Sequence, residues 1–110
     1  MNEVLSVGDL NRAVNETLTR DPLLSRVRVR GEISGLKKYP SGHVYFTLKD
    51  FEAAVSCVLF KGAAVNIRIA LSDGMRVVLF ARPSLYDKTG RFQLIVSGVQ
   101  EEGIGDLYTR

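Results

Sequence analysis

Twelve side chains could do chemistry of one kind: Arg28, Arg30, Lys37, Lys38, Tyr39, His43, Tyr45, Lys49, Phe60, Tyr86, Lys88 and Arg91. They mix cations with aromatic rings. Lysine and arginine neutralise phosphates and release the counterions condensed on them. Unpaired bases stack on Tyr, Phe or His faces, each worth ~1–3 kcal/mol by alanine substitution. Duplex DNA hides its base faces, so this combination favours a flexible single strand. No obvious set of base-edge readers accompanies it, and little sequence preference is expected. The densest part is residues 26–49, RVRVRGEISGLKKYPSGHVYFTLK, with six cations and one acid, Glu32. Its net five positive charges exceed the +3 of the whole chain.

Other chemistries find little support. Asp50, Asp73 and Asp87 read as turn residues, and no carboxylate pair is spaced to share a face with His43. His43 lacks a nearby nucleophile or a second histidine, so no catalytic role is assigned to it. One cysteine, Cys57, and one histidine cannot build a Cys/His zinc site, and Cys57 reads as a small core residue. Neither G-x-x-x-x-G-K-[ST] nor G-x-G-x-x-G occurs. The expectation is a segment that catalyses nothing by itself and needs no metal or cofactor. No apolar run approaches the ~20 residues of a membrane span, and residues 1–14 lack the pattern of a secretory leader. A chain of 110 residues, 45% of them hydrophobic, fits one small domain with its own core, and a cytoplasmic setting is expected.

Elements must position these side chains. Ser6 reads as the N-cap of a helix, with Asp9 closing a capping box. Val7, Leu10, Val14 and Leu18 recur at three- and four-residue spacing, which predicts an apolar stripe packed on the rest of the domain. Asp21-Pro22 ends the helix. Five strands are then predicted, at 27–34, 43–49, 54–60, 75–82 and 91–99. Long loops are expected at 35–42 and 83–90, a tight turn at 50–53, and helix or irregular structure over 61–72, where the alternation of Val65, Ile67, Ile69 and Leu71 also admits a short strand. Residues 101–110 read as a linker starting another helix.

Alternation sets the faces. On the second strand Val44, Phe46 and Leu48 point inward, and His43, Tyr45, Thr47 and Lys49 outward. On the first, Arg28, Arg30 and Glu32 share the outward face. On the third, Val55, Cys57 and Leu59 are inside, leaving Ser56, Val58 and Phe60 outside. The expected surface therefore joins Arg28, Arg30, His43, Tyr45, Lys49 and Phe60. Lys37, Lys38 and Tyr39 flank it on one loop, and Tyr86, Lys88 and Arg91 on another. Arg28 and Arg30 are equally readable as solvated edge charges, and Phe60 as packed against the connection that follows it.

Five short strands with an excursion between the third and fourth predict a mainly β, five-stranded Greek-key OB-fold barrel preceded by an α-helix. An SH3-like barrel is the competing architecture. The domain layout expected is a helical extension over 1–22, the barrel over 23–100, and the start of a linker over 101–110.

Four blocks, LSVGDLNRAV (5–14), VRGEISGLKKYPSGHVYFTLKD (29–50), AAVSCVLFKG (53–62) and SLYDKTGRFQLIV (84–96), resemble the N-terminal domain of exodeoxyribonuclease VII large subunits. That resemblance implies an OB-fold that binds single-stranded DNA. It also implies a parent enzyme that degrades single-stranded DNA from both ends into oligonucleotides, in complex with small subunits. The family's catalytic and small-subunit-binding regions follow this domain, so no catalytic residue carries over. The binding role carries over onto Lys37, Lys38, His43, Tyr45 and Lys49, and more weakly onto Tyr86, Lys88 and Arg91. Two other readings compete: an RNA-binding OB module like those of aminoacyl-tRNA synthetases, and self-association through the N-terminal helix.

Overall fold

The computed structural model describes residues 3–102. α1 (Val7–Arg20) precedes five strands: β1 (Val27–Lys38), β2 (Val44–Lys49), β3 (Ala54–Leu59), β4 (Arg76–Tyr86) and β5 (Arg91–Glu101). A single helical turn, α2 (Lys61–Ala64), lies between β3 and β4. The strands close into a barrel in the order β1-β2-β3-β5-β4, with β3 and β5 parallel and all other neighbours antiparallel. This is the closed OB-type barrel with its leading helix that the strand pattern predicts. Closure leaves no long open edge for another chain to pair with.

Alternation builds the interior. On β2, Val44, Phe46 and Leu48 are buried while Tyr45 and Lys49 are exposed. Ile33, Cys57, Leu59, Val77, Leu79, Leu94 and Val96 join them in one core cluster. Each such aliphatic or aromatic side chain contributes about 1.5–3 kcal/mol on burial. Leu71 is buried in the same cluster and Ile67 and Ile69 pack against it, so the stretch after α2 plugs the barrel without being a strand.

Two expected loops are corrected. β1 does not end at Ser34 but runs to Lys38, taking up half of the expected 35–42 loop. The register shifts between Ser34 and Lys37, and Gly35 there has φ 65°, the left-handed conformation that a bulged strand assigns to glycine. The 83–90 loop is likewise mostly strand. β4 pairs with β5 as far as Tyr86, leaving only a turn at 87–90. Pro83 is tolerated because β4 pairs with β1 only up to Ala81 and has one neighbour beyond it. Of the stretch 101–110 read as a linker and helix, Glu101 is the last residue of β5, and 103–110 lie outside the described residues.

β1 serves two neighbours. Residues 27–32 pair with β4 and residues 32–38 with β2, so the strand wraps around the barrel. Gly31 sits at the crossing. A Cβ there would lie 2.7 Å from Leu48 Cγ and 2.9 Å from the Lys49 carbonyl oxygen, a space only glycine fits.

α1 forms as predicted. Ser6 Oγ accepts from the Asp9 N–H at 3.0 Å, and the Asp9 carboxylate accepts from the Ser6 N–H at 3.4 Å. Its docking differs from expectation. Val7 is 76% exposed and Leu10 50%, whereas Asn11 is buried. Asn11 Nδ2 donates to the Asp87 carbonyl at 2.9 Å. Asn15 Nδ2 donates to the Leu85 carbonyl at 2.9 Å and to Asp87 Oδ1 at 2.8 Å, and its Oδ1 accepts from the Leu85 N–H at 2.7 Å. The N-terminal half of the apolar stripe faces out, and two asparagines one turn apart fasten the helix to the β4–β5 hairpin.

Candidate nucleic-acid interface

A groove of about 580 Å³ crosses the outer face of β2, β3 and β5. Lys37, Tyr45, Phe60, Tyr86 and Arg91 line it, together with Thr47, Ser56 and Gln93. No aspartate or glutamate does. Both predicted rims are therefore present. Lys37 and Tyr45 arrive from the β1–β2 side, and Tyr86 and Arg91 from the two ends of the β4–β5 hairpin.

Register explains the convergence. Lys37 opposes Tyr45, Tyr45 opposes Val58, and Val58 opposes Ile95. One row further along, Ser34, Thr47, Ser56 and Gln93 oppose one another in turn. Small polar side chains thus form the bed on which the larger rings stand. Val58 has the outward parity expected of it, yet is only 1% exposed. It is the apolar floor of the groove rather than a surface residue, and this corrects its expected exposure.

The rings are held at fixed angles. Tyr39 and Tyr45 meet edge to face, with centroids 5.3 Å apart and planes at 85°. His43 and Phe60 do the same at 5.5 Å and 83°. Such T-shaped pairs suit the ring quadrupoles and are worth about 0.5–1.5 kcal/mol beyond their buried area. His43 Nδ1 also accepts the Lys61 backbone N–H at 2.8 Å, which places the proton of the neutral ring on Nε2. His43 therefore ties the start of β2 to the start of α2. Tyr39, Tyr45 and Phe60 remain 47%, 41% and 42% exposed, which leaves faces free for a partner. The turn beneath Tyr39 is closed by Gly42 N–H to the Tyr39 carbonyl at 2.9 Å.

Cys57 lies behind the groove at 2% exposure. Burial pushes its thiol up to about 12, so it presents no thiolate there.

Other predicted residues fall elsewhere. Lys38 and Lys88 are exposed beside the two rims, on the end of β1 and in the hairpin turn. Lys49 lies on the outward face of β2, four residues beyond Tyr45. There it lines a separate depression with Arg30, Glu32, Asp50, Phe51 and Arg76. Arg30 Nε pairs with Glu102 at 2.6 Å. Arg28 opposes Phe80 and lines a third depression on β1, β4 and β5. The expected common surface of Arg28 and Arg30 with Tyr45 is thus not formed. The wrapping of β1 turns its first half away from β2. Thr47 and Ser56 were accessible to parity alone. Gln93 was not, because it needs the parallel β3–β5 pairing.

Among the described residues, no helix is long and apolar enough to cross a membrane.

Residues 5–100 match the family described as OB-fold nucleic acid binding domain. Over 106 residues the chain is 48% identical to the exodeoxyribonuclease 7 large subunit of Clostridium botulinum (strain Okra / Type B1), covering 96% of this chain and 26% of that protein. It is 42% identical over 108 residues to the same subunit of Clostridium beijerinckii, covering 98% and 27%. The chain thus spans roughly a quarter of the length of these curated relatives. Among solved structures it resembles the S. pombe Stn1-ten1 complex, with TM-score 0.61 and 18% identity over 76% of this chain and 63% of that one. It also resembles asparaginyl-tRNA synthetase from Pyrococcus horikoshii, with TM-score 0.54 and 13% identity over 70% and 19%. At these identities the likeness is one of fold.

Proposed function

The chain belongs to the OB-fold nucleic acid binding domain family, and from that premise we propose that it is the single-stranded-DNA-binding module of an exodeoxyribonuclease VII large subunit. The observation that carries this reading is the acid-free groove in which Lys37 and Arg91 flank Tyr45, Phe60 and Tyr86. Cations on the rims hold phosphates, and exposed ring faces stack unpaired bases. Tyr39, His43, Lys38 and Lys88 extend the two rims. Lys49, Arg30 and Arg28 are peripheral to it.

The large-subunit assignment is supported by 48% identity over 96% of this chain. In that reading, residues 1–22 are an extension that carries α1, 23–100 are the binding barrel, and 101–110 lead into regions that supply catalysis. The parent enzyme degrades single-stranded DNA in the cytoplasm, from both ends, together with small subunits. This segment contributes grip rather than bond cleavage, since its groove offers no nucleophile with a base and no thiolate.

Titration with oligo-dT, oligo-U and a hairpin duplex across a salt series tests the reading. Oligo-dT binding that weakens steeply with salt is expected, with the duplex bound least. A preference for structured RNA would favour the RNA-binding alternative. Absence of binding even at low salt, with a concentration-dependent dimer in its place, would move the function to the exposed Val7–Leu10 face of α1.

A further inference from the structure

The depression on β1, β4 and β5 differs from the aromatic groove in its chemistry. Arg26, Arg28 and Arg82 line it around Phe80, Ile95 and Ser97, and it too measures about 580 Å³. No carboxylate lines it, and none of the three arginines pairs with an acid among the described residues. The depression around Arg30, Lys49 and Arg76 is the instructive contrast. It contains Glu32 and Asp50, and Arg30 is paired with Glu102. A surface that balances its charges there leaves three guanidinium groups unbalanced here.

The two acid-free grooves are neighbours along one cross-strand row. Val58, the floor of the aromatic groove, is the cross-strand partner of Ile95, which lines the arginine depression, and Ile95 is the partner of Arg82. Two strand spacings, ~10 Å in all, separate Val58 from Arg82 along this row. A polynucleotide leaving the aromatic groove along β3 and β5 meets the arginines within a few nucleotides, inside the ~4–16 nucleotides that one OB barrel accommodates. Guanidinium groups match phosphate oxygens in a two-pronged geometry, and three of them on one depression form a backbone site rather than a base site. Phe80 stands among them with its ring against Gly98, its Cδ2 only 3.3 Å from where a Cβ there would sit.

We propose that Arg26, Arg28 and Arg82 form a second, phosphate-binding subsite that carries the single strand onward around the barrel from the aromatic groove. The inference rests on the reading of that groove as the place where bases are held.

The test compares oligo-dT of about four nucleotides with one of about twelve, both within the range of a single OB site. The 110-residue chain is titrated with each as wild type, as Arg26→Gln/Arg28→Gln/Arg82→Gln, and as Tyr45→Ala. For the long oligonucleotide the triple variant should lower the slope of log affinity against log salt by about 2, three phosphates at ~0.7 each. For the short one the slope should be kept. Arg82→Gln alone should remove about a third of the effect, which guards against misfolding of the triple variant, and thermal melts check both. An unchanged slope on the long oligonucleotide overturns the proposal. So does an equal loss at both lengths, which would mark diffuse attraction. Tyr45→Ala should weaken both lengths. Its silence would sink the reading of the aromatic groove, an outcome distinct from any result with the arginine variants.

Discussion

The two rims of the aromatic groove reach the same surface by different physics. The β1–β2 rim, carrying Lys37, Tyr39, His43 and Tyr45, grows directly out of the barrel. Val44 and Phe46 anchor it from inside, and edge-to-face ring pairs with a single His43–Lys61 hydrogen bond brace it from outside. The hairpin rim, carrying Tyr86, Lys88 and Arg91, stands where β4 has lost β1 as a neighbour. It is held from behind by Asn11 and Asn15 of α1. One rim is an extension of core packing, and the other depends on a polar clamp supplied by a separate helix. The first should resist local perturbation, and the second should be the part that loosens.

The largest effect that sharpens this contrast is on Asn15. Asn15→Ala leaves the Leu85 N–H and carbonyl without their side-chain partner, and unsatisfied part-buried groups cost ~1–3 kcal/mol. Chemical denaturation should show that loss, and hydrogen exchange should show faster opening at residues 84–90 than at 44–49. Uniform acceleration across both segments would break the distinction between the rims. His43→Ala comes next. It removes one hydrogen bond, at about 0.5–1.5 kcal/mol, and one ring contact, at about 0.5–1.5 kcal/mol, and its exchange effect should stay near β2 and α2. Leu10→Ser should move stability by no more than ~0.5 kcal/mol, because Leu10 is 50% exposed and α1 is held through asparagines. A loss of several times that would restore the apolar-stripe account of docking.

The smallest effect is a control outside both rims. In the β2–β3 turn, Asp50 Oδ1 accepts the N–H groups of Glu52 and Ala53, each at 2.8 Å. These bonds hold its carboxyl below the ordinary value of 3.8. A folded value that is depressed stabilises at higher pH, and that stabilisation disappears as pH falls through it. The melting-temperature gap between wild type and Asp50→Ala should therefore be open at neutral pH and narrow in acid below 3.8. A gap independent of pH would contradict the role of the carboxylate.

The rims also mark what the residues alone could tell. Alternation at Val44, Tyr45, Phe46, Thr47 and Leu48 made β2 and its outward face legible, because a period of two admits only one inward set. Ser6 with Asp9, and Asp21-Pro22, fixed both ends of α1 for equally local reasons. What escaped was non-local. The wrapping of β1 depends on Gly31 passing against Leu48, so the separation of Arg28 and Arg30 from Tyr45 had no signal in their spacing. Asn11 and Asn15 recur at helical spacing, but their partners lie some seventy residues away in sequence at Leu85 and Asp87. The more conspicuous Val7 and Leu10 lie on the exposed face. Pro83 and the turn residues after it suggested a loop, when one-sided pairing let the strand continue. Arg26 and Arg82 become neighbours only through the β1–β4 pairing.

The chain has no tryptophan, and three of its four tyrosines, Tyr39, Tyr45 and Tyr86, stand at the groove or its rim. Tyrosine emission during an oligo-dT titration therefore reports base contact at this surface directly. The account predicts quenching of the wild-type chain on binding. It also predicts that Tyr45→Ala binds roughly 5- to 150-fold more weakly, the loss of one stacked base at ~1–3 kcal/mol. Binding of full strength by Tyr45→Ala, with the emission of the wild-type chain unaltered at saturation, would contradict it.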